Sequence, residues 1–304
     1  MIPKKPFKPA LSDISDFEAR SAKYVQYVTK IQQNRFTTGF HIVDREIRGI
    51  GAGEMMIIGA YSGTFKSAYL QNLLMGYSMR SGLYSLFFSL EMPDEKIFER
   101  EMQIANRISG GDVEDAIVKI TKDTVAYSMK CKASGSSKVL SIERPKLSLE
   151  HIAEYISLAK VKYELGVVAI DYLGLMKGDR GRSSADLTED MSNGAKELAK
   201  ETKLPVVILT QINRAAAKAQ SDDGSEIELH HLKYGGEAGA DIVLGLYKDP
   251  CDDVILKVLK NRGGAINKRW KADLLPHALK FEGFDEYTPP KRKKKGDDDG
   301  LPTF

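Results

Sequence analysis

The segment Gly59-Ala-Tyr-Ser-Gly-Thr-Phe-Lys66-Ser67 carries the residue types that hold a nucleotide phosphate. It follows the apolar run EMMIIGAY (54–61) and leads into a helix-like stretch, Lys66–Arg80. At such a junction backbone N–H groups and the helix dipole attract phosphate oxygens. A lysine there neutralises β/γ charge and a serine hydroxyl takes Mg²⁺. The candidate nucleotide-binding residues are therefore Ser62, Gly63, Thr64, Phe65, Lys66 and Ser67. The strict pattern G-x-x-x-x-G-K-[ST] is not met, because Ala60 and Phe65 stand at its two glycine positions. A glycine before the lysine lets backbone approach the β-phosphate unobstructed. With Phe65 in that place, Gly63 is expected to supply the unusual dihedral and the aromatic ring to point away. Alone, the segment reads either as a phosphate loop or as an ordinary strand–turn–helix.

Three more polar residues stand at the ends of apolar runs. Glu91 closes LYSLFFSLE (83–91), Asp171 follows the apolar start of GVVAIDYLGL (166–175), and Gln211 ends LPVVILTQ (204–211). A carboxylate beside a γ-phosphate polarises the attacking water. An acid behind a buried strand suits Mg²⁺ held through water, and a neutral amide hydrogen-bonds the γ-phosphate and reports its loss. Each has an ordinary alternative: a helix cap or surface acid for Glu91, a loop-opening acid for Asp171, a loop-backbone partner for Gln211.

These residues need a scaffold. The runs above, with DIVLGLYKD (241–249) and VILKVLKN (254–261), are short and rich in Val, Ile, Leu and aromatics, as in strands buried on both faces. Helix-like segments, Lys66–Arg80, Leu149–Tyr163 and Asp186–Thr202, lie between several of them. The alternation predicts an α/β fold, a largely parallel twisted sheet flanked by helices, with ligands at the carboxyl ends of its strands. Ahead of it, Ser15 and Glu18 fit an S-x-x-E capping box. The helix so begun carries Phe17, Tyr24, Val28 and Ile31 on one face, which packs on its own domain or docks on a neighbouring subunit. The expected organisation is a flexible lead-in and linker helix (1–34), one α/β domain (35–286), and a disordered tail (287–304) that runs from basic to acidic.

With 42% apolar and 29% charged residues, the chain of 304 residues is expected to be soluble and cytoplasmic. No apolar run approaches the roughly 20 residues that span a bilayer. Charge is nearly balanced, 45 basic against 42 acidic residues, so any nucleic-acid affinity has to come from local placement. Cys131 and Cys251 show no metal-ligand spacing and are expected to be reduced.

Six blocks, taken in order, resemble the motor domain of DnaB-type replicative DNA helicases, a RecA-like P-loop ATPase, over roughly residues 35–284. They are Thr38-Gly-Phe-His-Ile-Val-Asp44, Gly49-Ile-Gly-Ala-Gly-Glu54, Phe88-Ser-Leu-Glu91-Met92, Ile170-Asp171-Tyr172-Leu173, Leu209-Thr-Gln211-Ile-Asn213-Arg214 and Lys260-Asn-Arg262-Gly263. The resemblance implies ATP and Mg²⁺ as ligands, single-stranded DNA as the track, and 5′-to-3′ movement of a homo-oligomeric ring, expected to be hexameric. Lys260 and Arg262 match a K-x-R pair that reaches into the neighbour's ATP. DNA contacts are implied after the Asp171 and Gln211 strands, at Lys177, Arg180, Arg182, Arg214, Lys218, Lys233 and Gly236. The bacterial members carry a helical N-terminal domain, which the roughly 34 residues here do not match, so a minimal, phage-encoded version is expected. The acidic, Phe-terminated tail Asp297–Phe304 resembles tips that recruit primase, polymerase or a loader. Two other functions remain open on sequence: a RecA-like recombinase or other RecA-fold ATPase, and, because of Phe65, a non-hydrolysing DNA-binding ring.

Overall fold

The first tertiary feature explains why the Thr38–Asp44 block has its composition. Both Asp44 carboxylate oxygens are used: Oδ1 accepts from the Thr38 amide and hydroxyl, and Oδ2 from the Gly39 amide, each at 2.8 Å. Asp44 thus ties the turn to the helix that follows. Glu54 acts similarly, its Oε2 accepting from the Gly51 amide at 2.7 Å just before the first strand. These acids are structural; they shape the approach to the site.

The structure, a computed structural model, is described over residues 16–120, 138–171, 184–212, 227–232 and 237–289. Its elements in chain order are α1 (Phe17–Asn34), α2 (His41–Ile47), β1 (Met55–Ala60), α3 (Lys66–Ser81), β2 (Tyr84–Ser89), α4 (Asp94–Asn106) and α5 (Gly110–Ile120). There follow β3 (Val139–Glu143), α6 (Leu149–Lys162), β4 (Leu165–Asp171), α7 (Ser184–Thr202) and β5 (Val206–Gln211). The chain closes on β6 (Ile242–Lys248), β7 (Val254–Asn261), β8 (Arg269–Leu275) and β9 (Lys280–Glu286). At the start of α1 the Asp16 carboxylate accepts from the Ala19 amide at 2.8 Å; Ser15, on which the capping-box reading rests, lies outside the described residues. Among the described residues no helix is long and apolar enough to cross a membrane.

One sheet of nine strands runs in the order β3-β2-β4-β5-β1-β6-β7-β8-β9. From β3 to β6 all neighbours are parallel, and from β6 to β9 all are antiparallel. Alternate residues of β1 face opposite sides, so Met56 and Ile58 enter one core with α3 while Met55 and Ile57 enter the other with α6 and α7. All six β1 residues are buried, which is why the strand reads as an unbroken apolar run.

A buried amide joins the antiparallel end of the sheet to the site. Asn72 of α3 donates through Nδ2 to the carbonyls of Ala68 and Leu279, both at 2.8 Å, and its Oδ1 accepts from the Phe281 amide at 3.1 Å. Replacing Asn72 by Leu strands the Phe281 N–H and the Leu279 carbonyl in the core. Each unsatisfied group costs about 1–3 kcal/mol, so Asn72→Leu is expected to lower stability by about 2–4 kcal/mol in urea unfolding.

Candidate functional site

Strand order and register bring the candidate residues together. Ala60 of β1 pairs with Gln211 of β5, and Ser89 of β2 pairs with Asp171 of β4. Because β2, β4, β5 and β1 are consecutive neighbours, their carboxyl ends form one ledge under the start of α3. A cavity of about 320 Å³ opens on that ledge, at the low end of the ~300–1,000 Å³ usual for ligand pockets. Its walls include Tyr61, Ser62, Gly63, Phe65, Lys66, Ser67, Glu91, Arg100, Gln211 and Leu279.

The turn into α3 uses the left-handed backbone region twice, at Gly63 (φ 82°) and at Phe65 (φ 60°, ψ 21°). Gly63 thus supplies an unusual dihedral, as the sequence reading expected, but it does not relieve position 65: Phe65 also keeps the glycine-like dihedral despite its Cβ. That conformation costs about 1–2 kcal/mol in a non-glycine residue. Burial of the ring offsets the cost. Phe65 packs against the core beneath α3, and Lys248 Nζ sits 6.0 Å from its ring centroid. The ring thus becomes a wall of the cavity and does not fill it. Phe65 offers no side-chain cap to α3, so the first turn of the helix presents its N–H groups to whatever anion binds. Thr64 is the exception among the predicted loop residues: it is buried, and its hydroxyl donates to the Tyr61 carbonyl.

Asp171 is only 1% exposed, and Lys66 Nζ lies 3.6 Å from its Oδ1. Neither carboxylate oxygen accepts a hydrogen bond among the described residues. A buried carboxylate with open lone pairs is costly, and a hydrated divalent cation beside Ser67 would satisfy it. The residues present therefore fit Mg²⁺ and a polyphosphate. Glu91 is not the last residue of its strand as the sequence suggested. β2 ends at Ser89, whose hydroxyl donates to the Met92 carbonyl at 2.7 Å and accepts from the Met92 amide at 3.2 Å. This closed turn leaves Glu91 exposed on the cavity rim.

Two wall residues escaped the sequence reading. Arg100 lies on α4, where it passes for one charge among many in DEKIFEREMQ, and only folding brings it to Glu91. Burial draws its guanidinium below the ordinary arginine value, while Asp171, Glu91 and Glu99 oppose the fall. Tyr61 is the other: burial pushes its phenol up to about 12, so it stays a neutral hydroxyl at physiological pH.

Lys260 and Arg262 lie elsewhere. β7 runs antiparallel to β6, and Asn261 pairs with Ile242 at the start of β6. Arg262 Nη2 donates to the Ala238 carbonyl at 2.8 Å, and Nη1 approaches Asp241 Oδ1 at 3.4 Å. Lys260 Nζ donates to the Glu237 carbonyl at 2.6 Å. Burial, and then Arg262 close by, lower the Lys260 pKa. The other oxygen of Asp241 accepts from the Met55 amide at 2.8 Å, which places the pair at the start of β1. The phosphate loop leaves the far end of that strand, roughly 17 Å away at about 3.3 Å per residue. Neither side chain reaches the cavity of its own chain. The DNA candidates Lys177, Arg180, Arg182, Arg214, Lys218, Lys233 and Gly236 lie outside the described residues, as do Cys131 and the tail Asp297–Phe304.

Comparison with known proteins agrees with this geometry. The family model described as DnaB-like helicase C terminal domain matches residues 36–282. The replicative DNA helicase DnaB of Helicobacter pylori strain J99 is 29% identical over 216 residues, covering 69% of this chain and 43% of that protein. The DnaB of Geobacillus stearothermophilus is 26% identical over 218 residues, covering 70% and 47%. The chain thus matches less than half the length of these relatives. Among solved structures, an isolated ATPase domain superposes with a TM-score of 0.76 at 19% identity, covering 90% of this chain and all of that one. A DnaB-like replicative helicase, solved in a study of its interactions with primase, gives 0.73 at 20% identity, covering 90% of this chain and 68% of that one. From the phosphate ledge, the RecA-like sheet and a family match that spans most of its length, the chain belongs to the DnaB-like helicase C-terminal domain family.

Proposed function

We propose that the chain is the motor of a ring-shaped helicase that hydrolyses ATP and moves 5′ to 3′ on single-stranded DNA. The observation that carries this reading is the split between the two ends of the sheet. Lys66, Ser67, Asp171, Glu91, Arg100 and Gln211 meet at one end, and Lys260 with Arg262 sits at the other. In a head-to-tail ring each protomer offers its arginine end to the next protomer's ledge. Hydrolysis then depends on assembly, since a guanidinium supplied across the boundary stabilises transition-state charge. Six protomers are proposed from the family.

Lys66 and the first N–H groups of α3 hold the β- and γ-phosphates. Ser67 and Asp171 would hold Mg²⁺, which when bound neutralises phosphate charge. Glu91 orients the attacking water and takes up its proton. Gln211 sits at the end of β5, adjacent to the phosphate loop, and is placed to relay loss of the γ-phosphate to the segment behind it. That segment and the one after Asp171 are assigned to DNA, and the acidic tail to a replication partner, on sequence grounds. Arg100 faces both carboxylates and is assigned to charge developing on the γ-phosphate. Arg100→Ala is expected to cut kcat by about 10²–10³, as for loss of one preorganised donor, with Arg100→Lys recovering only part because it lacks the planar fork. Steady-state ATPase assays check both.

Partial duplexes with a single 5′ or 3′ loading tail test the function itself. ATP-dependent strand release from the 5′-tailed substrate alone is expected. Release that needs only the 3′ tail would overturn the direction, and DNA binding and ATP turnover without release from either substrate would overturn the helicase reading.

A further inference from the structure

A second cavity, of about 270 Å³, opens at the arginine end of the sheet, and its walls include Arg35, Arg48, Glu54, Asp241, Asn261 and Arg262. Its charges do not balance. Asp241 is already shared by Lys196 (2.5 Å), the Met55 amide and Arg262, and Glu54 by the Gly51 amide and the Tyr27 hydroxyl. Arg35 and Arg48 form no ion pair among the described residues. Arg35 Nη1 donates to the Arg48 carbonyl at 3.2 Å, while its Nε is sealed from solvent without a hydrogen-bond partner. Beside the Arg262–Asp241 pair, the cavity therefore holds two arginines, Arg35 and Arg48, without an anion among the described residues.

Arg48 occupies an unusual backbone position. It caps the C-terminus of α2 with φ 59°, where glycine is the residue of choice, and its side chain is exposed. The neighbour, Gly49, is also left-handed at φ 74°. Arg35 holds the turn through the Arg48 carbonyl, which leaves the Arg48 side chain out of that contact.

We propose that Arg48 is a second arginine acting across the subunit boundary, reaching with Arg262 toward the triphosphate held by the adjacent copy of this chain, and that Arg35 positions it. The anion must come from outside the chain, because its own phosphate ledge lies at the opposite end of β1. This rests on the ring reading above and adds to it a residue and a purpose for the second cavity.

The test uses the full chain with saturating ATP, Mg²⁺ and single-stranded DNA. Arg48→Gly suits the left-handed turn, so it is expected to melt no lower than wild type while losing about ten- to a hundredfold in kcat. Mixed with Lys66→Ala protomers, which lack a working ledge but keep Arg48, Arg48→Gly is expected to regain turnover, as Arg262→Ala does in the same mixture. Wild-type turnover of Arg48→Gly, or a loss not restored by mixing while that of Arg262→Ala is restored, would overturn the proposal and leave the ring reading intact. Failure of both mixtures would instead remove the ring reading. Tight binding of inorganic phosphate or DNA that Arg48→Gly abolishes, with ATP turnover unchanged, would assign the cavity to another anion and equally overturn it.

Discussion

Lys66→Ala is expected to abolish ATP turnover, with a loss of about 10³-fold or more, even where the protein stays folded. The lysine sits at the first residue of α3, 10% exposed, with Nζ 3.6 Å from a carboxylate that is itself buried. No other lysine among the cavity walls can replace its charge. A preorganised cation in a water-poor site supplies transition-state stabilisation that water cannot, and each ~1.36 kcal/mol lost is a tenfold fall in rate. The substitution has a second consequence. Removing one member of a buried pair leaves the other charge uncompensated, at a cost on the order of 3 kcal/mol, so Lys66→Ala is also expected to melt below wild type. Mg²⁺ is expected to restore part of that stability by occupying the freed side of Asp171. Parallel measurement of turnover and thermal unfolding, with and without Mg²⁺, checks the pair of effects.

The second large effect is expected at Arg262, and there the distinctive outcome is rescue. Arg262→Ala should lower turnover about 10³-fold, the lower range for an arginine supplied in trans, without changing the ATP site of its own chain. Its guanidinium stands 53% exposed at the start of β1, held by Asp241 and the Ala238 carbonyl. An exposed ion pair of this sort contributes little to stability, so the melting temperature is expected to stay near that of wild type. Mixing Arg262→Ala with Lys66→Ala should recreate complete junctions, in which one protomer supplies the ledge and the other the arginine. Two inactive proteins would then yield an active mixture. An active Arg262→Ala enzyme, or no recovery on mixing, would defeat the assignment.

How much of this was legible in the sequence depended on burial. β1, β2, β4, β5, β6 and β7 are largely buried on both faces, and they read directly as apolar runs. β3, β8 and β9 went unread. In RWKADLL buried Trp270 and Ala272 alternate with more exposed residues, and in KFEGFDE buried Phe281 and Phe284 stand three apart where the β8–β9 pairing shifts register, because those strands keep one face toward solvent. The alternation in β8 was the available signal. Buried Lys257 could not have been foreseen either. It looks like an ordinary surface charge in VILKVLKN, yet it donates inside the core to the Ile227 carbonyl at 3.0 Å and to Glu228 at 2.7 Å.

At the site, strand-terminal residues were legible because strand ends and ligand positions coincide in a parallel sheet. Arg100 was not, since a helix surface gives no sign of which charge folds inward. Phe65 stood out in the sequence as the difficulty, but its resolution did not. The turn is left-handed at Gly63 and again at Phe65, whose ring packs against the core.

The most direct test of the account is the rate of ATP hydrolysis by the full chain with Mg²⁺, measured with and without single-stranded DNA. The ledge built from Lys66, Asp171, Glu91 and Arg100 is expected to turn ATP over, and DNA to raise that rate about tenfold or more. Firm ATP binding with no turnover under either condition would contradict it, and would make Phe65 the mark of a ring that grips nucleotide without spending it.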